Sequence, residues 1–187
     1  MKKLIICTLF LLILPLTTHA AALKIEPVYG IERTQRQYPE PPKYITKTFV
    51  GMRAVYGVPL ISMEFELGQS LNKEDFPNDN LSVTYTTQRA MLGIRSYPMK
   101  SKYFGVFFRA GARAQKETRD ITESGVESQE ESPINFDPYG GAGLTLAFAN
   151  NFALNAGATL IYNRDADASE QYDTQYSFSF TIKAGSK

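Results

Sequence analysis

The amino-acid sequence predicts an all-β fold, an eight-stranded antiparallel up-and-down transmembrane β-barrel. Three observations predict it. Apolar and polar residues alternate with a period of two over much of the chain, short and long links alternate between these segments, and glycines are concentrated on the polar face. A period of two is the signature of a β-strand with one apolar and one polar face. The 187 residues suit a single domain.

The N-terminus has the three-part pattern of a secretory signal peptide. Lys2 and Lys3 precede an apolar run at 4–16, and small residues follow it. The run is shorter than the roughly 20 residues that a transmembrane helix needs. We therefore predict a signal peptide at 1–20 and the barrel domain at 21–187. Because the chain's single Cys7 and His19 lie in the predicted signal peptide, the processed chain would contain neither residue type.

Eight segments with period-two alternation follow the predicted signal peptide. The third is the clearest, with Ile61, Met63 and Phe65 alternating with Ser62 and Glu64. None of the segments contains the run of about 18 apolar residues that indicates a transmembrane helix. In the fourth, the phase of the N-terminal half is ambiguous. We predict strands at 23–32, 47–57, 60–70, 84–97, 103–115, 137–148, 152–163 and 174–183.

The links between these segments alternate in length without exception. The links after the second, fourth and sixth segments are short, at 57–60, 98–102 and 149–151. The links after the first, third, fifth and seventh are long and polar, at 33–46, 71–82, 116–136 and 164–173. An up-and-down barrel whose two ends face different compartments has this asymmetry, with short periplasmic turns and longer extracellular loops.

The apolar face could point outward to lipid, or inward as in a soluble barrel that binds an apolar ligand. Two observations favour the membrane barrel. Glycines crowd the polar face, where the interior of a small barrel has little room: Gly51, Gly68, Gly93, Gly105, Gly111, Gly141, Gly143 and Gly157. Aromatic residues lie near the strand ends on the apolar face, as in interfacial girdles: Tyr29, Tyr56, Phe104, Phe148, Phe152, Tyr162 and Tyr176.

The sequence resembles the small outer-membrane β-barrels. It shares with them an export signal, eight alternating segments, three tight turns, four long loops and a last strand of the form Tyr176-Ser-Phe178-Ser-Phe180-Thr-Ile182. This superfamily includes the OmpA transmembrane domain and the OmpX/Ail adhesins. The resemblance implies an outer-membrane location, outer-membrane lipid as a partner, and insertion by the barrel-assembly machinery. One departure is that family members commonly end in an aromatic residue, whereas the tail 183–187 follows the last strand here. The assembly signal would then lie slightly inside the chain.

Charged residues on the polar face form the candidate site. Five are basic and three acidic: Lys24, Arg53, Arg95, Arg109, Arg113, Glu26, Glu64 and Glu66. They lie on the first five segments, and the last three present mainly small or hydroxyl side chains. One interpretation is a structural ion-pair network that fills the lumen, since eight strands leave an interior just wide enough for side chains. The alternative is the lining of a narrow pore.

The sequence predicts no catalytic, cofactor-binding or metal-binding residues. Known small-barrel enzymes that resemble this fold depend on a histidine, which the processed chain would lack. The net charge of +1 argues against binding of nucleic acid. The loops 33–46 and 116–136 could contact an extracellular partner, because the first is basic and the second carries six acidic against two basic residues. The predicted function is therefore a non-enzymatic outer-membrane barrel with a structural or surface-interaction role. The alternatives are a narrow pore and a soluble periplasmic barrel that binds an apolar ligand.

Overall fold

The computed structural model describes residues 22–36, 43–58, 60–77, 80–164 and 171–184, so the predicted signal peptide lies outside the described residues. The described residues form nine β-strands: β1 (Ala22–Arg36), β2 (Lys43–Gly57), β3 (Ile61–Phe76), β4 (Leu81–Lys100), β5 (Phe104–Glu123), β6 (Val126–Glu131), β7 (Asn135–Ala149), β8 (Phe152–Tyr162) and β9 (Tyr172–Ala184).

Eight of the strands form a closed ring in the order β1-β2-β3-β4-β5-β7-β8-β9, and β9 pairs with β1. All the pairings are antiparallel. The short strand β6 pairs with the end of β5, at Thr118–Glu123, whereas β7 pairs with the beginning of β5, at Phe104–Gln115. The predicted eight-stranded up-and-down barrel is therefore confirmed.

The barrel has its apolar face outside and its charged face inside. On β3, the outward-facing Met63 and Phe65 are 60% and 45% exposed, whereas the inward-facing Glu64 and Glu66 are 2% and 0% exposed. The predicted aromatic positions Tyr29, Tyr56 and Phe148 are also more than half exposed. This arrangement is that of a membrane barrel and the reverse of a soluble one. The soluble alternative required an apolar interior, whereas the interior of the described barrel is lined mainly by charged and polar side chains.

Three predicted loops are largely β-structure, so their predicted bounds are wrong. β1 and β2 extend into 33–46, β3 and β4 occupy most of 71–82, and β5 and β6 occupy most of 116–136. The pairing of β3 with β4 continues from Leu71 and Thr86 to Phe76 and Leu81. Sequence alternation is lost there because strands above the bilayer meet water on their outer face. Inside, Val83, Tyr85 and Ile121 form a small apolar cluster with Phe76 and Leu81 at this end of the barrel.

The hairpin between β5 and β6 closes through a two-residue turn. Glu123 pairs with Val126, and the residues between them, Ser124 and Gly125, have φ values of 49° and 84°. Positive φ at both central residues is the geometry of a type I′ turn, whose twist matches that of the flanking strands. The acidic segment therefore projects as an ordered hairpin. The described residues contain no helix long and apolar enough to cross a membrane.

Candidate functional site: the barrel lumen

The lumen holds a continuous set of ion pairs, which we call the lumen network. It consists of five arginines and six carboxylates: Arg53, Arg89, Arg95, Arg109, Arg113, Glu26, Glu32, Glu64, Glu66, Asp137 and Asp173. Each of these residues is at most 6% exposed. The strand period places them inside, because every second residue of a strand points to the same face.

Arg95 anchors the network at the end with the short turns. Its Nε lies 3.0 Å from Glu64 Oε2 and its Nη1 lies 3.1 Å from Glu26 Oε1. The same Nη1 lies 3.3 Å from the Tyr97 hydroxyl, and the guanidinium lies 4.7 Å from the centre of the Phe107 ring. Arg95 therefore joins β1 and β3 from its position on β4. Charge-assisted hydrogen bonds of this kind are about twice as strong as neutral ones.

Three further arginines contact Glu66 in the middle of the lumen: Arg53, Arg109 and Arg89, the last with Nη2 3.4 Å from Glu66 Oε1. Arg53 donates to Glu66 Oε2 from Nε at 2.8 Å and from Nη2 at 2.6 Å, and its Nη1 reaches Glu26 Oε2 at 3.2 Å. Arg109 has its Nη2 3.4 Å from Glu66 Oε2 and its Nε 2.7 Å from Glu64 Oε1. The Tyr139 hydroxyl donates to the same Glu64 oxygen at 2.9 Å. Each carboxylate thus accepts contacts from more than one strand.

The upper part of the network is centred on Glu32. Its Oε2 lies 2.7 Å from Arg89 Nη1, and its Oε1 lies 2.5 Å from Arg113 Nη1. Arg113 Nη2 also binds Asp137 at 2.8 Å and Asp173 at 3.0 Å. Because β1 and β5 are four places apart in the eight-stranded ring, the Glu32–Arg113 pair crosses the lumen from one side to the other.

The seven predicted arginine and glutamate residues all lie in the lumen network. Lys24 is also buried, but its Nζ lies 5.1 Å from the centre of the Tyr97 ring, below the network. On β8, the seventh strand of the ring, Asn155 donates to Ser179 and Thr181, and Thr181 donates to Glu26 at 2.9 Å. Hydroxyl and amide side chains therefore complete the polar interior beside the ion pairs.

Sequence reasoning missed four charged residues of the network: Glu32, Arg89, Asp137 and Asp173. Asp137 and Asp173 correct the expectation that the last three ring strands present mainly small or hydroxyl side chains. Both lie at or beyond the predicted strand ends, where alternation gives no signal. Arg89 adjoins the part of β4 whose phase was ambiguous, and continuing the phase of Met91 and Arg95 backwards would have placed it inside.

A second ionic contact lies above the network, outside the apolar band of the barrel. Lys47 Nζ lies 2.8 Å from Glu117 Oε2, and Arg119 Nε lies 2.8 Å from the other oxygen of Glu117. Burial raises the pKa of Glu117, but the charges of Lys47 and Arg119 outweigh burial and hold the pKa below its ordinary value. Glu117 is therefore ionised at neutral pH and joins β2 to β5.

The acidic residues of the β5–β6 hairpin face water. Asp120, Glu123, Glu127, Glu130 and Glu131 are exposed. Asp120 accepts a hydrogen bond from Gln129 at 2.8 Å, and Glu131 pairs with Lys116 at 2.7 Å. The hairpin presents a negatively charged surface. Within the described part of the chain, no group of His, Cys, Asp and Glu is arranged to hold a metal ion.

The comparisons with known proteins agree with this architecture. Residues 43–184 match the model of the outer membrane protein beta-barrel domain family. Ail, the attachment invasion locus protein of Yersinia pestis, is 10% identical, with a TM-score of 0.56 over 88% of this chain and 97% of Ail. Neisserial surface protein A is 12% identical, with a TM-score of 0.56 over 89% of this chain and 100% of that protein.

The N-terminal β-barrel domain of Pseudomonas aeruginosa OprF is 15% identical, with a TM-score of 0.51 over 87% of this chain and 97% of that domain. Among curated proteins, none matches the sequence significantly. At these identities the structural similarities show the fold, whereas the family model covers most of the chain itself. The chain therefore belongs to the outer membrane protein β-barrel domain family, and it is a protein of the outer membrane.

Proposed function

We propose that the chain is a non-enzymatic outer-membrane barrel that carries no solute through its lumen and acts through its extracellular surface. The observation that carries the proposal is the lumen network, whose Glu32–Arg113 pair crosses the barrel. A solute could pass only if these buried pairs separated. Leaving one partner of a buried pair without the other costs about 3–5 kcal/mol.

The same contacts support a non-enzymatic role. A carboxylate that works as a general acid or base needs a pKa near the working pH and access to a substrate. Glu64 and Glu66 are instead buried and held by Arg53, Arg95 and Arg109. The predicted processed chain would also lack the histidine on which a Ser–His or Asp–His arrangement depends.

Single-channel recording in planar bilayers tests the closed lumen. We expect no steady conductance from the wild-type protein, and an intermittent leak from an Arg113→Ala/Glu32→Ala variant that lacks the crossing pair. The pore alternative predicts the reverse, a steady wild-type conductance that Arg109→Ala or Arg113→Ala removes. That result would overturn the proposal.

The β5–β6 hairpin is the surface that we propose for contact with a partner. Its sheet edge is exposed, and residues 116–136 carry six acidic against two basic residues. Ail of Yersinia pestis has a structure in complex with the heparin analogue sucrose octasulfate, a polyanion. The hairpin is itself negatively charged and would repel a polyanion, so the partner that fits it is a basic surface or peptide. Loop 33–46, with residues 37–42 outside the described part of the chain, is a second proposed contact.

Polylysine is a suitable probe for this surface. We expect it to bind cells or vesicles that display the protein, and to bind several-fold more weakly when Glu127→Gln/Glu130→Gln removes two charges from the hairpin. Glu74→Gln/Asp75→Asn, on the β3 extension, is the matched control. Equal loss of binding in both variants would show that the hairpin has no special role.

We also propose that the barrel-assembly machinery recognises β9, which carries the outward aromatic residues Tyr176, Phe178 and Phe180. Because residues 185–187 lie outside the described part of the chain, the proposal rests on the strand alone. Replacing Phe180 with alanine should slow assembly in cells, and removal of 185–187 should not. If removal of the tail slowed assembly and Phe180→Ala did not, the signal would lie in the tail.

A further inference from the structure

A pocket of about 350 Å³ lies at the end of the barrel with the short turns, which is the periplasmic end in this architecture. It lies between the β4–β5 turn, the β7–β8 turn and the end of β9. Its lining includes Tyr97, Lys100, Lys102, Phe104, Phe148 and Lys183. We call it the periplasmic pocket. Its volume is within the usual range for small-molecule sites.

The charge around the periplasmic pocket has one sign. Lys100, Lys102 and Lys183 line it, and Lys24 lies nearby, with its Nζ 5.1 Å from the centre of the Tyr97 ring. The described residues around it, 57–58, 60, 97–105, 147–152 and 182–184, contain no Asp or Glu. The basic end therefore contrasts with the acidic hairpin at the opposite end of the barrel.

The contacts of these lysines are with neutral groups. Lys100 Nζ lies 5.6 Å from the centre of the Tyr97 ring, Lys102 Nζ lies 5.1 Å from the Tyr103 ring, and Lys183 Nζ donates to the carbonyl of Asn150 at 2.8 Å. Burial lowers the pKa of Lys100, and the charges of Lys24 and Lys183 lower it further. An anion bound in the pocket would attract the lysine ammonium groups and offset the repulsion between them.

The pocket also opens toward the membrane. Phe104 and Phe148 in its lining are 40% and 58% exposed on the outer face of the barrel. Phe148 stacks with Phe152 at a centroid distance of 6.3 Å and contacts Phe180 at 5.9 Å. Aromatic residues at strand ends mark the level of the lipid headgroups. The three lysines therefore lie beside the rings of Phe148, Phe152 and Phe180 at the membrane surface. A lipid there would place its phosphate near the lysines and its acyl chains near the rings.

We propose that the periplasmic pocket binds a phosphate ester, with Lys100, Lys102 and Lys183 contacting the phosphate oxygens. Lysine ammonium groups are common phosphate ligands and act as point charges. The phosphate could belong to the headgroup of an anionic phospholipid of the periplasmic leaflet or to a water-soluble phosphate ester. Both sources present the same chemistry to the lysines.

Native mass spectrometry of the folded barrel tests the proposal, with phosphatidylglycerol and zwitterionic phosphatidylethanolamine as lipid probes and glycerol phosphate as the soluble probe. The test variant is Lys100→Gln/Lys102→Gln/Lys183→Gln. The control, Lys43→Gln/Lys73→Gln/Lys116→Gln, removes the same charge at the extracellular end. Heat-dependent migration on a denaturing gel verifies that both variants fold.

We expect about tenfold or greater loss of phosphatidylglycerol binding in the test variant and little loss in the control. Loss confined to phosphatidylglycerol identifies a lipid headgroup as the ligand, and loss of glycerol phosphate binding as well identifies a site for soluble phosphate esters. Equal binding by the wild type and the test variant would overturn the proposal, as would equal losses in the two variants.

Discussion

At the scale of single residues, the barrel interior depends on four glutamates that each contact at least two arginines. Glu26 accepts from Arg53 and Arg95 and from the hydroxyls of Ser179 and Thr181, and it is fully buried. Burial of charge is costly, so the pairs persist only while every partner is present. The network links strands on opposite sides of the lumen.

Replacing Glu26 with glutamine keeps the shape of the side chain and removes its charge. We expect the variant to lose about 3–5 kcal/mol of unfolding free energy, because Arg53 and Arg95 would each lose a charged partner in a buried site. Urea-dependent folding into lipid vesicles, followed by gel migration, measures the loss. The control Asp75→Asn removes an exposed carboxylate near Lys73, and we expect no measurable change. A harmless Glu26→Gln would show that the network is not required for stability.

A second residue-scale prediction concerns two glycines of β7. A Cβ at Gly143 would collide with the Phe107 ring and with the backbone of Ala156, whereas a Cβ at Gly140 would meet nothing within 4 Å. We expect Gly143→Ala to destabilise the barrel by about 1–3 kcal/mol through overpacking. Gly140→Ala should be tolerated. Thermal unfolding in detergent compares them, and similar unfolding temperatures would contradict a filled interior at Gly143.

At the scale of elements, the strands continue beyond the apolar band and are joined there by polar contacts. Lys47 on β2 and Glu117 on β5 form one such contact at 2.8 Å. Glu117 has a lowered pKa in the folded state, relative to an ordinary value of about 4.5. The contact therefore stabilises the fold fully at pH values above about 4.5, and this stabilisation is lost as the pH falls through the lowered pKa.

We expect Glu117→Gln to destabilise the upper barrel by about 1.5–3 kcal/mol at neutral pH, the usual contribution of a hydrogen bond to a charged group. The difference between the wild type and the variant should shrink as the pH falls below about 4.5. Hydrogen exchange of the β2 and β5 amides at several pH values measures it. A difference that does not vary with pH would show that the charge of Glu117 contributes nothing.

The elements also show what the sequence could and could not predict. Alternation placed Arg53, Glu64 and Arg95 inside correctly, because lipid on one side and a polar lumen on the other impose a strict period of two. Continuing the phase of Lys24 and Glu26 to Glu32 would have placed that residue inside as well, whereas Asp173 lies before the predicted last strand, where alternation gives no signal. Alternation also assigned 116–136 to a loop, because a solvated hairpin such as β5–β6 has no apolar face to reveal it.

At the scale of the whole molecule, the closed ring of strands and its apolar outer face both follow from placement in lipid. A strand in lipid needs a partner on both edges, so the barrel must close, and β9 pairs with β1 to complete it. The even number of segments and the alternating links were sufficient to predict this topology. The particular ion pairs could not be predicted, because they depend on strand register across the lumen, as with Glu32 and Arg113.

Two leucines on the outer surface provide a test of membrane embedding. Leu144 on β7 lies within the apolar band and is 49% exposed, and Leu71 on the upper part of β3 is 65% exposed. In water, arginine would be tolerated at both positions. In a bilayer, Leu144→Arg should cost about 2–4 kcal/mol, whereas Leu71→Arg should cost about 0–1 kcal/mol.

Urea-dependent folding of both variants into phospholipid vesicles measures these costs, and the same titration in detergent micelles shows how far the penalty depends on the bilayer. We expect a large difference between the variants in vesicles, because the Leu144 side chain faces hydrocarbon and an arginine there must reach the interface to be hydrated. Equal stability of the two variants in vesicles would mean that the outer face near Leu144 is in contact with water or with another protein.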